Sequence, residues 1–497
     1  MALAPFFERV YGALGGHLAI SRESLESVLG RVTVGIQLGS KPNDNEIWIG
    51  SLVTNLAARI YPKIAITGDA EICNELKALA KSINPDIEFT DQADAATTIA
   101  IGQVNLKGGI CPSASGWVAK LESDPRSWNG PKNPYSSGVA ACLACAELFR
   151  RVFVGSTSNN EFAVSLLNFD RVTGAENKLS KIDLGDVAFV GIGAVGNAAL
   201  WALSRDGTVQ GNVDLIDAEV VELSNLQRYV LTSTSDVGKS KVDLAKALLS
   251  GSKIKSVAHK MNLEGYSNLG ETLETPTLVV SVDNVDARRA AQALLPKMVI
   301  NGWTGERALG ASWHVFSRNA ACLACLYHPH GVGLSAIEQA AKALGLTVDR
   351  AAQLWVTKQP LSSDDLKVVA HALGVSEHEL APWKRKSLGD IYTDVVCGAV
   401  PLNVKGVTRV EMVPLAHQSA LAGILMAAEL IKRSDLELSK LAQDEVLVSW
   451  DNVLQPPPAL WGKPRAREPG CICGDSDYQG VYKTKWGDTV KPHRRRG

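Results

Sequence analysis

Residues suited to phosphate chemistry are densest between Asp186 and Lys241. An apolar run, Val187 to Val190, leads into Gly191-x-Gly193-x-x-Gly196 and then an apolar helical stretch. Glycines there let the backbone turn tightly and approach a phosphate, while the helix start offers free N–H groups and its positive dipole end. A second strand, Val213 to Ile216, ends in Asp217, placed to accept a hydrogen bond from a ribose hydroxyl. Ser224-Asn225-Leu226-Gln227-Arg228 follows, and then Gly238-Lys239-Ser240-Lys241. A dinucleotide's pyrophosphate carries few charges and is held by glycines and a helix end. An amide and two cations, Asn225, Arg228 and Lys241, suit the larger charge of a triphosphate. A solvated helix face is the rival explanation for Arg and Lys, and this spacing stands against it.

Thiols are the second chemical resource. Cys142 and Cys145 form a Cys-Leu-Ala-Cys run inside a small-residue helical stretch with no other Cys pair nearby, which points to core packing. A second such run, Cys322 and Cys325, follows a strand, and Cys471-Ile472-Cys473 follows the Pro-rich QPPPALWGKPRAREPG. Two pairs of this kind can make a tetrahedral thiolate site. His328 and His330 are alternative ligands, although a His-Pro-His turn is more often a surface loop. Cys397, in DVVCGAVPLNVKG, has no nearby Cys partner. An isolated Cys is normally a buried small hydrophobe, but Lys405 and Arg409 are close enough in sequence to lower its pKa.

The elements that must position these groups alternate in α/β fashion. Strand-like RVTVGI, KIAITG and TTIAIG alternate with helical runs such as ICNELKALAKSI, making a first unit that ends near Val154. FAVSLLNF gives short strand character to a linker over 155–181. Strands at Thr277 to Val282 and Met298 to Asn301 continue the second unit, and a hairpin within GASWHVFSRNAACLACLYH closes it. Gly331 to Asp390 alternates helical stretches with turn and cap residues and reads as a small helical subdomain.

With 497 residues, about three domains are expected. A chain 46% hydrophobic and 21% charged can bury a sizeable core. Its formal net charge of −1 gives no bulk attraction to nucleic acid, and the basic end His493-Arg494-Arg495-Arg496 reads as a solvated terminus. MALAPFFERVYGAL carries Glu8 and Arg9 within its apolar run, so no secretory signal is expected. The apolar stretch Val413 to Ile431 contains His417, Gln418 and Glu429 and reads as a buried helix, not a membrane span. Nine cysteines without a signal suggest a reducing compartment, hence the cytoplasm.

In order, the Gly-rich loop, the acid followed by Ser-Asn-Leu-x-Arg, and the later Lys resemble the nucleotide site of the ThiF/MoeB/HesA family, which includes the ubiquitin-activating enzymes. That family's further Asp, after another strand, is matched by Asp283 in LVVSVDNVDARR. The resemblance covers roughly residues 182–431; Ala194 stands where the family often has another Gly. It implies an α/β fold: a Rossmann-like adenylation domain with a parallel-rich sheet, preceded by a degenerate α/β domain and carrying a helical insertion. The expected order is a degenerate, inactive domain (1–154), a linker (155–181), the first part of the ATP-binding domain (182–330), a catalytic-cysteine subdomain (331–396), a return to the adenylation domain (397–452) and a C-terminal tail with the second zinc Cys pair (453–497).

The same resemblance implies roles. Gly191, Gly193, Gly196, Asp217, Asn225, Arg228 and Lys241 would hold ATP, and Asp283 would bind magnesium. Cys397 precedes the long apolar helix, where the family's reactive Cys commonly falls, and would form a thioester. Cys322, Cys325, Cys471 and Cys473 would hold a structural zinc, with Cys-x-Cys replacing the family's second Cys-x-x-Cys. The implied partners are a ubiquitin-like protein and a conjugating enzyme, with no nucleic acid or membrane and with a homo-oligomer left open. The chain most resembles bacterial activating enzymes of Bil-type antiphage conjugation systems. A MoeB-like adenylyltransferase serving sulfur transfer is the runner-up. A nicotinamide-dependent dehydrogenase is opposed by Arg228 and Lys241, and a dead scaffold by the intact residue set. Arg171 does not align cleanly with the family's N-terminal Arg.

Overall fold

Runs of β-branched residues alternate with helices through most of the chain, a pattern that builds parallel sheets covered by helices. The computed structural model describes residues 3–487 except 19, 156–160, 170–178, 271–274, 306–307, 317–319, 329–335, 374, 379, 382–383, 393–413, 443–445, 451–454, 456 and 458–461. Contacts divide the chain into two units. One comprises Met1–Leu14, Ile20–His328 and Pro414–Gly497; the other comprises Gly15–Ala19 and Pro329–Val413.

In the larger unit, β1 (Val34–Leu38), β2 (Lys63–Thr67), β3 (Glu88–Phe89) and β4 (Thr98–Ile101) form a parallel sheet in the order β3-β2-β1-β4. Helix Asp44–Ala58 crosses from β1 to β2, its start fixed by a capping box between Asn43 and Glu46. A separate antiparallel sheet contains β5 (Cys111–Ser115), β6 (Val118–Glu122) and β7 (Phe162–Ser165). β7 lies in the stretch expected as a linker, and its Val164 pairs with Ala119. Period-two alternation in FAVS indicates a strand but not the edge it joins.

Eight strands form the remaining sheet: β8 (Ile182–Val190), β9 (Val209–Ile216), β10 (Lys253–His259), β11 (Thr277–Val280), β12 (Met298–Thr304), β13 (Leu309–His314), β14 (Val446–Trp450) and β15 (Gly462–Pro464). Their order is β10-β9-β8-β11-β12-β13-β14-β15. Pairings are parallel from β10 to β12 and antiparallel from β12 to β15. Phe189 of β8 stands opposite both Leu215 and Val279 and is fully buried. The strand order reverses at β8, which leaves a crevice at the strands' carboxyl ends. β10-β9-β8-β11 repeats the order β3-β2-β1-β4 of the first sheet.

Helices Pro134–Phe149, Ala194–Leu203 and Ala416–Ser434 are buried along almost their whole lengths. Two glycines permit their close approach. A Cβ at Gly138 would lie 2.7 Å from Ile424 and 2.9 Å from Trp201, and one at Gly423 would lie 2.1 Å from the Val195 carbonyl oxygen. Cys142 and Cys145 are buried in the first of these helices, where burial pushes both thiols up. Among the described residues, no helix is long and apolar enough to cross a membrane.

The smaller unit is helical, with Ala336–Leu344, Val348–Thr357, Ser363–Leu373 and Leu388–Ile391 around a core that includes Leu344, Leu354, Val369 and Leu380. One hydrogen bond recurs: Leu346 N donates to Ala341 O and Val375 N to Ala370 O, each at 3.0 Å, within the similar runs AAKALGLT and VAHALGVS. Arg350 forks onto Asp365 at 3.0 and 2.7 Å and holds its carboxyl down at about 2.

Gly423→Ala tests the helix contact. Helix propensity would gain up to ~1 kcal/mol, but the Val195 carbonyl cannot give way without moving a helix. A net loss of about 1–3 kcal/mol is expected as a lower urea midpoint. An unchanged midpoint by circular dichroism would show that the helices separate without cost.

Candidate functional site

β8 ends in a turn with Gly191 at φ 89°, a left-handed conformation that a side chain resists. Helix Ala194–Leu203 starts just beyond, with Gly193 at its cap position and no side-chain capping bond. Gly196 lies in the first helical turn, where a Cβ would come within 2.3 Å of the Gly191 carbonyl oxygen. The Ser281 hydroxyl donates to that carbonyl at 2.6 Å, joining the turn to the end of β11. Among the described residues, a Cβ at Gly193 would meet only the Tyr229 hydroxyl, at 3.6 Å. This open side, next to uncapped helix N–H groups, fits a phosphate.

Asp217 stands beside the turn. Its Oδ2 accepts from Ile192 N at 2.7 Å and its Oδ1 from Glu219 N at 2.9 Å. Each oxygen keeps a further lone pair for a hydroxyl donor. Burial raises its carboxyl above the ordinary range, against the pull of Lys241 and the two backbone donors. Lys241 is buried, and its ammonium donates to Glu219 and, at 3.1 Å, to the Tyr229 hydroxyl. Burial alone would lower this ammonium, but Tyr229, Glu219 and Asp217 together hold it above the usual lysine value.

Tyr229 therefore touches Lys241 and borders the open side of Gly193. The spacing of charged residues misses it, and its only sequence signal is its place after Arg228. Asn225 sits in the short turn Leu223–Gln227, with its Oδ1 accepting from Glu222 N at 3.0 Å. Arg228 is half-buried, its guanidinium 6.0 Å from the Tyr229 ring centre. Tyr229 N donates to Asn225 O at 3.1 Å, so the Asn225–Arg228 turn joins the same network.

Asp283 lies just past β11 and is exposed. Its neighbour Val282 adjoins the glycine turn, since a Cβ at Gly191 would lie 3.1 Å from Val282 N. Arg288, buried in helix Val285–Ala293, donates to the Val282 carbonyl, to Asn301 Oδ1 and, at 3.0 Å, to the Gly302 carbonyl. It pins the turn that carries Asp283. From Asn301 the bonds continue: its amide donates to Ser312 Oγ at 3.2 Å, that hydroxyl donates to His314 Nε2 at 2.8 Å, and His314 Nδ1 donates to Ala321 O at 2.8 Å. This direction requires a neutral imidazole, and burial pulls His314 down to about 4.

The relay ends one residue before Cys322. Cys322 Sγ lies 3.8 Å from Cys325 Sγ and 3.6 Å from Cys471 Sγ, and Cys325 Sγ lies 3.4 Å from Cys473 Sγ. All four sulfurs fall within 4.8 Å of one another and are buried. Tetrahedral zinc thiolates, with bonds of ~2.3 Å, place sulfurs about 3.8 Å apart, so this donor set fits the ion. Glu468 N donates to Cys325 Sγ at 3.4 Å, the kind of outer bond that orients a thiolate ligand.

Asp217, Lys241 and the three glycines are thus brought together, with Asn225, Arg228 and Asp283 on adjoining turns. Cys397, Lys405, Arg409, Arg171, His330 and residues 493–496 lie outside the described residues.

Residues 165–449 match the model of the ThiF family, and residues 48–154 match that of Prokaryotic E2 family C. The chain is 32% identical over 520 residues to the uncharacterized protein y4jF of Sinorhizobium fredii, covering 99% of each. It is 30% identical over 218 residues to the adenylyltransferase and sulfurtransferase MOCS3 of Aedes aegypti, covering 42% of this chain and 48% of that one. It is 29% identical over 123 residues to the NEDD8-activating enzyme E1 catalytic subunit of Dictyostelium discoideum, covering 24% and 27%. The chain thus spans less than half the length of these last two relatives.

Cys471→Ser combined with Cys473→Ser should abolish metal retention, measured as zinc per chain by elemental analysis, and lower the thermal midpoint by several degrees. Zinc retained by the double variant would remove these two sulfurs from the ligand set.

Proposed function

The chain belongs to the ThiF family, and on that premise we propose that it is an ATP-dependent adenylyltransferase that activates the C-terminal carboxylate of a ubiquitin-like protein. The observation that carries this reading is the open cradle at Gly193, joined through Tyr229 to Lys241 and through Ile192 to Asp217. Helix N–H groups, a carboxylate and a buried cation around one turn suit a nucleoside triphosphate. Relatives named as an adenylyltransferase and as an activating enzyme E1 support the class.

In the proposed reaction a carboxylate oxygen of the partner attacks the α-phosphorus, the bond to the bridging oxygen breaks, and pyrophosphate leaves. Gly191, Gly193, Gly196 and the helix start receive phosphate oxygens, while Asp217 holds the ribose. Asn225, Arg228 and Lys241 oppose the charge of the departing phosphates. Magnesium held by Asp283 would offset further charge on the pyrophosphate. The Cys397 thiolate then attacks the acyl carbon and expels AMP, and the thioester passes to a conjugating enzyme. Zinc on Cys322, Cys325, Cys471 and Cys473 would tie the tail to the adenylation domain.

The likeness to MOCS3 favours a second reading, in which the same adenylation serves sulfur transfer and no conjugating enzyme accepts the product. Residues 1–154 are read as a degenerate copy of the adenylation domain, supported by the shared strand order. The match of residues 48–154 to a prokaryotic E2 model supports a conjugating-enzyme reading of that stretch instead. Transfer of an acyl group to Cys73, Cys111, Cys142 or Cys145 would distinguish them. The antiphage setting rests on the sequence resemblance.

Substitutions at two positions test the reaction. Asp283→Ala should lower partner-dependent pyrophosphate exchange about a hundredfold or more with the fold intact, and near wild-type exchange would sink the magnesium role. Cys397→Ala should keep pyrophosphate exchange but lose the thiol-sensitive covalent complex with the partner, while Cys397→Ser should give a thiol-resistant ester. A thiol-sensitive complex on Cys397→Ala would move the nucleophile elsewhere.

A further inference from the structure

Helix Asp44–Ala58 belongs to the first sheet, yet its last turn is committed to the loop that carries Arg228. Arg59 is 1% exposed, and its guanidinium donates to the carbonyls of Leu226 and, at 3.1 Å, Thr232, while its Nε donates to Asn55 Oδ1 at 3.0 Å. Asn55, one helical turn earlier, uses its amide to donate to Val230 O at 2.9 Å. Two side chains therefore hold three loop carbonyls that bracket Arg228 and Tyr229. From the other side, Asn197 of helix Ala194–Leu203 accepts from Leu231 N at 2.7 Å. The loop is gripped by a helix from each half of the unit.

Satisfying buried carbonyls explains why some donor is needed, but it does not explain a full cation. A neutral amide or a trapped water serves a carbonyl at far lower desolvation cost than a buried guanidinium, which is expensive without a paired anion. Burial pulls Arg59 down to about 9, so it stays charged at neutral pH, and among the described residues no carboxylate acts on it. The planar fork reaches two carbonyls in fixed directions, which a flexible ammonium cannot do. We propose that Arg59, with Asn55, is a positioning residue of the nucleotide site, setting the Leu226–Thr232 loop so that Arg228 and Tyr229 face the phosphates. This rests on the ATP reading above and gives the first sheet a direct part in it.

The test uses the full chain, with amide hydrogen exchange of the 223–233 segment as one readout and MgATP affinity as the other. Arg59→Met should speed exchange in that segment but not in β8 or β11, and weaken MgATP about tenfold or more, the scale of losing charge-assisted bonds. Arg59→Lys should recover part of both effects, and Asn55→Ala should reproduce a smaller version. If Arg59→Met does not accumulate as folded protein, Asn55→Ala carries the same two readouts. In an Arg228→Ala background, Arg59→Met should weaken MgATP little further, because both act through one loop. Unchanged loop exchange, or an undiminished MgATP effect in the Arg228→Ala background, overturns the positioning role. A wild-type chain that binds no MgATP removes the nucleotide reading and this role with it, whereas MgATP binding with an unaltered loop removes the role alone.

Discussion

The Gly191 carbonyl accepts the Ser281 hydroxyl at 2.6 Å while Gly196 packs closely against it, and the glycine turn depends on that approach. Because neither glycine has a Cβ, the end of β8, the end of β11 and the start of helix Ala194–Leu203 share one small volume. The next residue but one, Gly193, then presents its open side beside Tyr229. Ile192 N, between them, is the donor that fixes Asp217. A Cβ at Gly191 would press on Val282 at the end of β11, and one at Gly196 on the Gly191 carbonyl and the Ser281 hydroxyl, so either would disturb the approach of Asp217 to the Asp283 turn.

Buried cations repeatedly do the same work in this chain. Arg59 holds Leu226 and Thr232, Arg288 holds Val282 and Gly302, and Lys432 donates to Leu166 O at 2.6 Å. In each case a side chain on a helix reaches a carbonyl far along the chain or on a neighbouring turn. Charge-assisted bonds are strong where water is excluded, and they make irregular backbone as fixed as a strand. Desolvating these cations is costly, and Lys432 answers with Glu429 at 2.5 Å.

The glycine turn, Asp217, Lys241 and the four sulfurs were legible in sequence because their chemistry demands particular residue types at short spacing. Strands β8, β9 and β11 were legible too, being apolar runs between glycines and polar turns. The joining of Cys322 with Cys471 is implied by the family resemblance and by both pairs being able to supply thiolates, since spacing says nothing across 149 residues. Arg59, Asn55 and Arg288 escaped notice because their partners are backbone carbonyls, which every residue supplies, so the sequence holds no complementary letter. Tyr229 escaped because a tyrosine beside an arginine reads equally well as core. β7 is legible as a short strand in FAVSLLNF, but its place beside β6 is not, because a short alternating strand specifies two faces and no neighbour.

The stretch Pro329–Val413 leaves the larger unit just after the Cys322–Cys325 pair and re-enters it at Pro414. Both feet of this excursion are secured without it, by the β13–β14 ladder and by the approach of Cys322 to Cys471. Covalent continuity and structural continuity thus part company at this point of the chain. A peptide bond cut inside the excursion would leave the two fragments still joined by the β13–β14 ladder and a cluster of thiols. The insertion can therefore grow in length at little entropic cost, because closing a longer loop adds only a logarithmic penalty.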